Sequence, residues 1–250
     1  MATALTPQGE APPAPVAIAP PPTLERAGLL DLIADAIDAA SASRPFPEAV
    51  QAAAGRRFDL MLPFGCEGPV EGERTAPFGW RYDEAKATLR LWINPVRWDR
   101  ALWGITETGE GKAAFEGFWI ARPWSTATEC AATPLSGAIN TDPLGQAQGE
   151  LAIARLIEDD AGKSAHRLDI VKRMSPDDFD AARGFALRIT GRLKSAEAGG
   201  PVQCFQRAGL HERPQCMIIG DFAELRVENS KTGDLLGVWP VSETSHLEAR

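Results

Sequence analysis

A succession of short apolar stretches separated by turn residues restricts the fold more than any other feature of this sequence. The stretches are rich in Val, Ile, Leu, Phe and Trp, and they recur from about residue 57 to residue 239. Their connections are too short for parallel crossovers, so neighbouring stretches are expected to pair antiparallel. The pattern predicts a mainly β fold, an antiparallel sandwich or barrel-like sheet of about nine or ten strands.

Three pairs of stretches are expected to form hairpins, because the residues between them favour tight turns. The pairs are 80–82 with 88–93, 151–158 with 166–174, and 225–227 with 235–239. Further strands are predicted at 57–62, which ends at Pro63 and Gly65, and at 115–121, 185–193, 202–205 and 216–219.

Two helices are predicted beside the strands. In 23–44, Thr23 is the expected N-cap and apolar residues recur at steps of three and four, which gives an amphipathic helix that Pro45 ends. Its opposite, solvated face carries Asp31, Asp35 and Asp38. A short second helix is expected from Ser175, a capping residue, to about Ala182.

The domain organisation follows from composition. Residues 1–22 hold seven of the 20 prolines and one charge, so they are expected to form a disordered Pro/Ala-rich tether. The helix 23–44 should pack on a single mainly β domain, 46–243, with a possible internal seam at 125–149, where Thr, Ser, Gly and Pro interrupt the strands. Residues 244–250 are a polar tail.

The tether bears on the compartment. It lacks the basic start and continuous apolar run of a signal peptide, so we expect a signal peptide or lipid anchor upstream of it. Arg outnumbers Lys 20 to 6, as in many bacteria with GC-rich genomes. These features favour a bacterial protein of the periplasm or cell envelope. The alternative is a cytoplasmic protein with a disordered leader.

Four cysteines allow three interpretations. Cys204 and Cys216 lie on two strands that could neighbour each other, which predicts one disulfide and leaves Cys66 and Cys130 for a second. The cysteines could instead be buried free thiols. A zinc site built on Cys204, His211 and Cys216, with Cys66, Cys130 or His166 as fourth ligand, is disfavoured because the spacing lacks a compact ligand pair. No metal and no cofactor is predicted.

Charge and motifs exclude several functions. The net charge of −8 argues against a nucleic-acid partner, and no apolar run is long enough to be a transmembrane segment. Catalytic signatures such as Gly-x-Ser-x-Gly and His-Glu-x-x-His are missing from the sequence, so no catalytic residue is predicted. An alternative function is a hydrolase with a carboxylate and histidine site drawn from Glu67, Glu71, His211 and Glu212.

Tryptophan is the compositional anomaly, since six of the seven fall between residues 80 and 124. Several lie beside arginines in stretches that look like loops, where exposed indoles could contact a ligand. The predicted binding residues are Trp98, Trp103, Trp124, Arg97, Arg100 and Arg122. The alternative is that the indoles seal the β core.

Together these features predict a non-enzymatic, disulfide-bonded β domain of the periplasm or envelope. Its Trp/Arg surface would bind a protein, a peptide or a saccharide. The competing functions are the hydrolase and a cytosolic accessory protein with reduced thiols.

Overall fold

A computed structural model describes residues 21–70, 76–103, 113–130, 150–158, 167–195, 200–206 and 213–241. It confirms the predicted class, since the fold is mainly β and sandwich-like, and these residues form 12 strands in two sheets and two helices. The predicted tether, 1–22, lies almost wholly outside the described residues, and the tail, 244–250, does so entirely. The predicted division into domains stays a prediction.

The elements have the following bounds. The strands are β1 (Leu24–Glu25), β2 (Arg57–Phe64), β3 (Phe78–Asp83), β4 (Thr88–Ile93), β5 (Val96–Asp99), β6 (Ala113–Trp119), β7 (Leu151–Glu158), β8 (Leu168–Arg173), β9 (Phe185–Leu193), β10 (Val202–Phe205), β11 (Gln215–Asn229) and β12 (Leu235–Pro240). The helices are α1 (Arg26–Ser41) and α2 (Glu48–Gln51), and single 3-10 turns cover Glu84–Lys86, Arg100–Trp103 and Pro176–Asp178.

The long strand β11 joins the two halves of the larger sheet, whose order is β1-β2-β9-β11-β7-β6-β5. Its first residues pair with β10 and β7, and its later residues pair with β9 and β12. A register shift between Phe222 and Glu224 interrupts the pairing of the later part with β9. Most pairings are antiparallel, but β1 with β2 and β7 with β11 are parallel.

The smaller sheet, β3-β4-β8, confirms one predicted hairpin and overturns another. Strands β3 and β4 form the hairpin predicted at 80–93, and β11 and β12 form the one predicted at 225–239. Residues 151–158 and 166–174 do not pair: β7 lies between β6 and β11, whereas β8 pairs with β4. Residues 151–154 of β7 are buried on both faces of the sheet, so β7 needs a neighbouring strand on each side. In β8 only Ile170 is buried, which suits a strand at the edge of a sheet.

The first helix begins later than predicted. Leu24 and Glu25 pair with β2, so α1 starts at Arg26, and Glu25 rather than Thr23 occupies the N-cap position, without a side-chain hydrogen bond. The predicted apolar face is confirmed, with Leu29, Ile33 and Ala36 buried. Leu24 and Glu25 form a short strand where the sequence predicted the first turn of the helix, because Leu24 is buried in the core.

Two other boundaries differ from the predictions. Strand β2 continues through Pro63 to Phe64, since Pro63 pairs opposite Ala186 as a regular member of the ladder. After Ser175 the chain makes one 3-10 turn, capped by Ser175 as predicted, and no helix continues to Ala182. Phe179 is extended instead, and its ring packs against the aromatic side chains of the β3 strand.

The main core lies between the two sheets and α1. Buried residues of α1, of the larger sheet and of the smaller sheet form one cluster that includes Ile33, Leu60, Leu91 and Ile189. The burial of apolar side chains in such a cluster is the main favourable term in the free energy of folding. A second, smaller cluster lies on the other face of the β5-β6-β7-β11 part of the sheet.

Candidate functional site

Two disulfides account for all four cysteines and confirm the predicted pairing. Cys204 and Cys216 lie opposite each other in the β10–β11 ladder, with their Cα atoms 4.1 Å apart. The Cys66–Cys130 bridge has a Cα–Cα distance of 5.4 Å. With every sulfur bonded to another, the cysteines cannot act as zinc thiolates, and the alternative of free thiols is wrong. Two such bridges indicate an oxidising compartment.

The structure places Trp98 and Trp103 in the second core, so the prediction of an exposed surface is wrong for these two indoles. They are 7% and 4% exposed. Trp98 lies edge-on to Trp119 with ring centroids 5.0 Å apart, and small residues of β7, Ala152 and Ala154, are buried in the same cluster. The cause is strand β5, which the sequence pattern did not reveal and which sets Trp98 opposite Phe115 of β6.

The two arginines near these indoles belong to the sheet and its adjoining turn. Arg97 is half-buried in β5 and lies opposite Glu116 in the ladder. The Glu116 carboxylate accepts a hydrogen bond from the Arg155 guanidinium at 2.7 Å. Arg100 begins the 3-10 turn after β5. The six predicted residues therefore do not form one exposed surface, and their role as ligand contacts stays a prediction.

Trp124 differs from the other two, because its side chain is 77% exposed. It lies in a segment that follows β6, residues 121–130, which we call the Trp124 loop. Arg122 adopts a left-handed conformation with φ of 50°, and its carbonyl accepts a hydrogen bond from the Ser125 N–H at 3.0 Å. The Ser125 hydroxyl accepts another from the Ala127 N–H at 3.2 Å. Local hydrogen bonds thus close a turn around the exposed indole.

A buried arginine ties this loop to the body of the protein. Arg26, at the start of α1, is 2% exposed. Its guanidinium donates hydrogen bonds to the backbone carbonyls of Ala121 (2.8 Å), Ser125 (3.0 Å), Arg122 (3.1 Å) and Met61 (3.3 Å). Burial, and then the charge of Arg122, lower the pKa of Arg26, although an arginine stays charged at neutral pH. Carbonyl dipoles satisfy its donors.

The far end of the loop is fixed as well. Cys130 is joined to Cys66, just beyond the end of β2, and the Arg122 side chain donates to the carbonyl of Glu129 at 2.9 Å. A large exposed indole is therefore held at both ends of its loop by contacts with the core of the protein. Such an arrangement reduces the entropy that a partner must remove on binding.

Sequence reasoning named Trp124 and Arg122 as candidates, and their role in binding stays a prediction, but it did not name Arg26. One signal was present: a cation in the first turn of a helix is electrostatically unfavourable there, so it needs another reason for its position. The burial of Arg26 beneath the loop supplies that reason.

The residues of the alternative hydrolase site are mostly not placed. Glu67 is exposed, whereas Glu71, His211 and Glu212 lie outside the described residues, as does His166. Within the described ranges, no group of three or more His, Cys, Asp or Glu side chains could hold a metal ion. No described helix has the length and apolarity to cross a membrane.

Comparisons with known proteins add no relative. No family model matches the chain, and neither a curated protein nor a solved structure is significantly similar to it.

Proposed function

We propose that this protein is a non-enzymatic binding module of the periplasm or cell envelope, and that it contacts its partner through the Trp124 loop. The observation that supports the proposal is the exposed indole on a loop fixed by Arg26 and by the Cys66–Cys130 disulfide. Exposed tryptophan is rare on soluble surfaces and frequent at the centre of binding sites. The partner is a protein, a peptide or a saccharide with a face that can stack on an indole.

The oxidised cysteines support the proposed location. A cytosolic accessory protein would be held in a reducing environment, where structural disulfides seldom persist. An intact mass measured after alkylation under denaturing, non-reducing conditions tests this point. Protein recovered from its source cells, with thiols trapped at lysis, should take up no alkyl groups before reduction and four after it. Uptake of four groups without reduction would contradict the envelope location.

Binding is tested with the full oxidised chain, biotinylated and incubated with the solubilised envelope of its source cells. The Trp124→Ala variant should lose the component that the unmodified chain retains, because truncation removes the contact without disturbing the core. Arg81→Gln is the control, since Arg81 is also exposed but lies on the smaller sheet. A component retained equally by the Trp124→Ala variant would show that the Trp124 loop is not the contact.

A further inference from the structure

A shallow groove crosses the larger sheet where β2, β9 and β11 lie side by side. Its volume is ≈ 630 Å³, within the range of small-molecule sites. Residues of all three strands line it, together with Thr23 before β1 and Val241 after β12. Val241 is held there by a hydrogen bond from its N–H to the carbonyl of Ala223, at the register shift of β11.

Two arginines face each other across this groove. Arg57 of β2 lies directly opposite Arg192 of β9, so their side chains share one face of the sheet and both line the groove. Like charges on directly opposite residues of a ladder repel each other and destabilise the pairing. In the described part of the chain Arg57 has no hydrogen bond or ion pair, and Arg192 only donates to the Gly55 carbonyl at 3.1 Å. Asp221, which lies opposite Arg192, is paired with Lys194 at 2.6 Å.

The same sheet contains a second opposed arginine pair, and carboxylates neutralise this one. Arg188 and Arg226 also lie opposite each other, on β9 and β11. Arg188 donates two hydrogen bonds to Asp59, at 2.8 and 2.6 Å, and lies 3.6 Å from Glu228, while Arg226 binds Glu224. The carboxylate of Asp59 raises the pKa of Arg188. Two carboxylates, Asp59 and Asp221, also line the groove, but they pair with Arg188 and Lys194, and the described residues show no ion pair between either of them and Arg57 or Arg192.

We propose that this groove binds a small organic anion whose carboxylate or phosphate group lies between the guanidinium groups of Arg57 and Arg192. A guanidinium fork matches both oxyanions in geometry and charge. The Thr190 hydroxyl, on the groove wall, is a further donor, and Ala223, Phe222 and Val241 supply an apolar surface for the rest of the molecule. This site is independent of the Trp124 loop, so either proposal can fail alone.

The test is a titration of the oxidised, ¹⁵N-labelled full chain with inorganic phosphate and, separately, with benzoate, at constant ionic strength. Saturable amide shifts are expected in residues 57–59, 190–192 and 221–223, with a midpoint on the order of 1 mM for so open a site. If only phosphate saturates the site, the ligand carries a phosphate group. If only benzoate does, the ligand is a carboxylate with an apolar body. Saturation by both probes indicates a general oxyanion site.

Matched variants distinguish a specific anion site from non-specific electrostatic attraction. Arg57→Gln and Arg192→Gln should each raise the midpoint concentration by about tenfold or more, because each variant loses one charge-assisted hydrogen bond to the anion. The control is Arg81→Gln, because Arg81 also lies opposite another arginine, Arg90, but lines no part of the groove. It should leave the midpoint unchanged within about twofold. The proposal is overturned if neither probe saturates, or if Arg81→Gln weakens binding as much as Arg57→Gln.

Discussion

Two tryptophan regions with similar sequence surroundings have opposite environments in this protein. Trp98 and Trp103 are almost fully buried in the second core, whereas Trp124 is 77% exposed on its loop. All three lie close to arginines, and all three looked like loop residues in the sequence. The difference shows that the partners of a segment decide exposure: Trp98 belongs to a paired strand, while the Trp124 loop is held by Arg26 from below.

The largest effect is expected for the buried region. Trp98→Ala removes an indole packed edge-on against Trp103 and Trp119, so the free energy of unfolding should fall by about 3 to 5 kcal/mol. Urea denaturation of the oxidised protein measures it. A loss below about 1 kcal/mol would mean that the second core contributes little and that Trp98 is not packed as described.

The disulfide that anchors the Trp124 loop is expected to come next. Replacing both Cys66 and Cys130 by Ser opens a loop with a sequence separation of 64, which should cost about 4 kcal/mol on the chain-entropy description. The shorter Cys204–Cys216 loop, with a separation of 12, should cost about 3 kcal/mol in the corresponding variant. Calorimetric unfolding of both variants checks the order, and a reversed order would contradict it.

A smaller loss of stability is expected at the buried arginine. Arg26→Met keeps the length of the side chain but leaves backbone carbonyls without donors, which should cost about 2 to 3 kcal/mol. Hydrogen exchange at the amides of Ser125 and Ala127 should also accelerate. Arg44→Met, which removes an exposed pair with Asp38, is the control and should cost less than about 0.5 kcal/mol. Equal costs for the two variants would contradict the anchoring role.

The smallest effect on stability is expected at the exposed indole itself. Trp124→Ala should change the free energy of unfolding by no more than about 0.5 kcal/mol, because the side chain packs against little. Subtracting the emission spectrum of this variant from that of the unmodified protein should leave the spectrum of a solvated indole. A destabilisation as large as that of Trp98→Ala would place Trp124 in a core.

The sequence predicted those features that depend on local patterns. Strand β9, strand β10 and the hairpin of β3 and β4 follow from apolar stretches and turn residues, and the Cys204–Cys216 pair follows from two such strands lying side by side. The Cys66–Cys130 pair followed by elimination. Local pattern also explains the buried face of α1.

Features that depend on distant partners could not be predicted. The separation of β7 from β8 results from competition between strands for central and edge positions, and no short stretch contains that information. The position of Arg26 beneath the Trp124 loop joins residues 95 to 99 positions apart in the chain. The arginine pair across the groove likewise needs the β2–β9 register, since Arg57 and Arg192 have no recognisable motif.

Fluorine NMR of the oxidised protein labelled with 5-fluorotryptophan tests most directly whether Trp124 is an exposed indole on a fixed loop. The Trp124→Phe variant assigns the resonance. Its chemical shift should change more between H₂O and D₂O than those of Trp98 and Trp103, and its line should be as broad as theirs because the loop is anchored. A resonance without a solvent shift would contradict the exposure, and a narrow, motionally averaged line would contradict the anchoring by Arg26 and the Cys66–Cys130 disulfide.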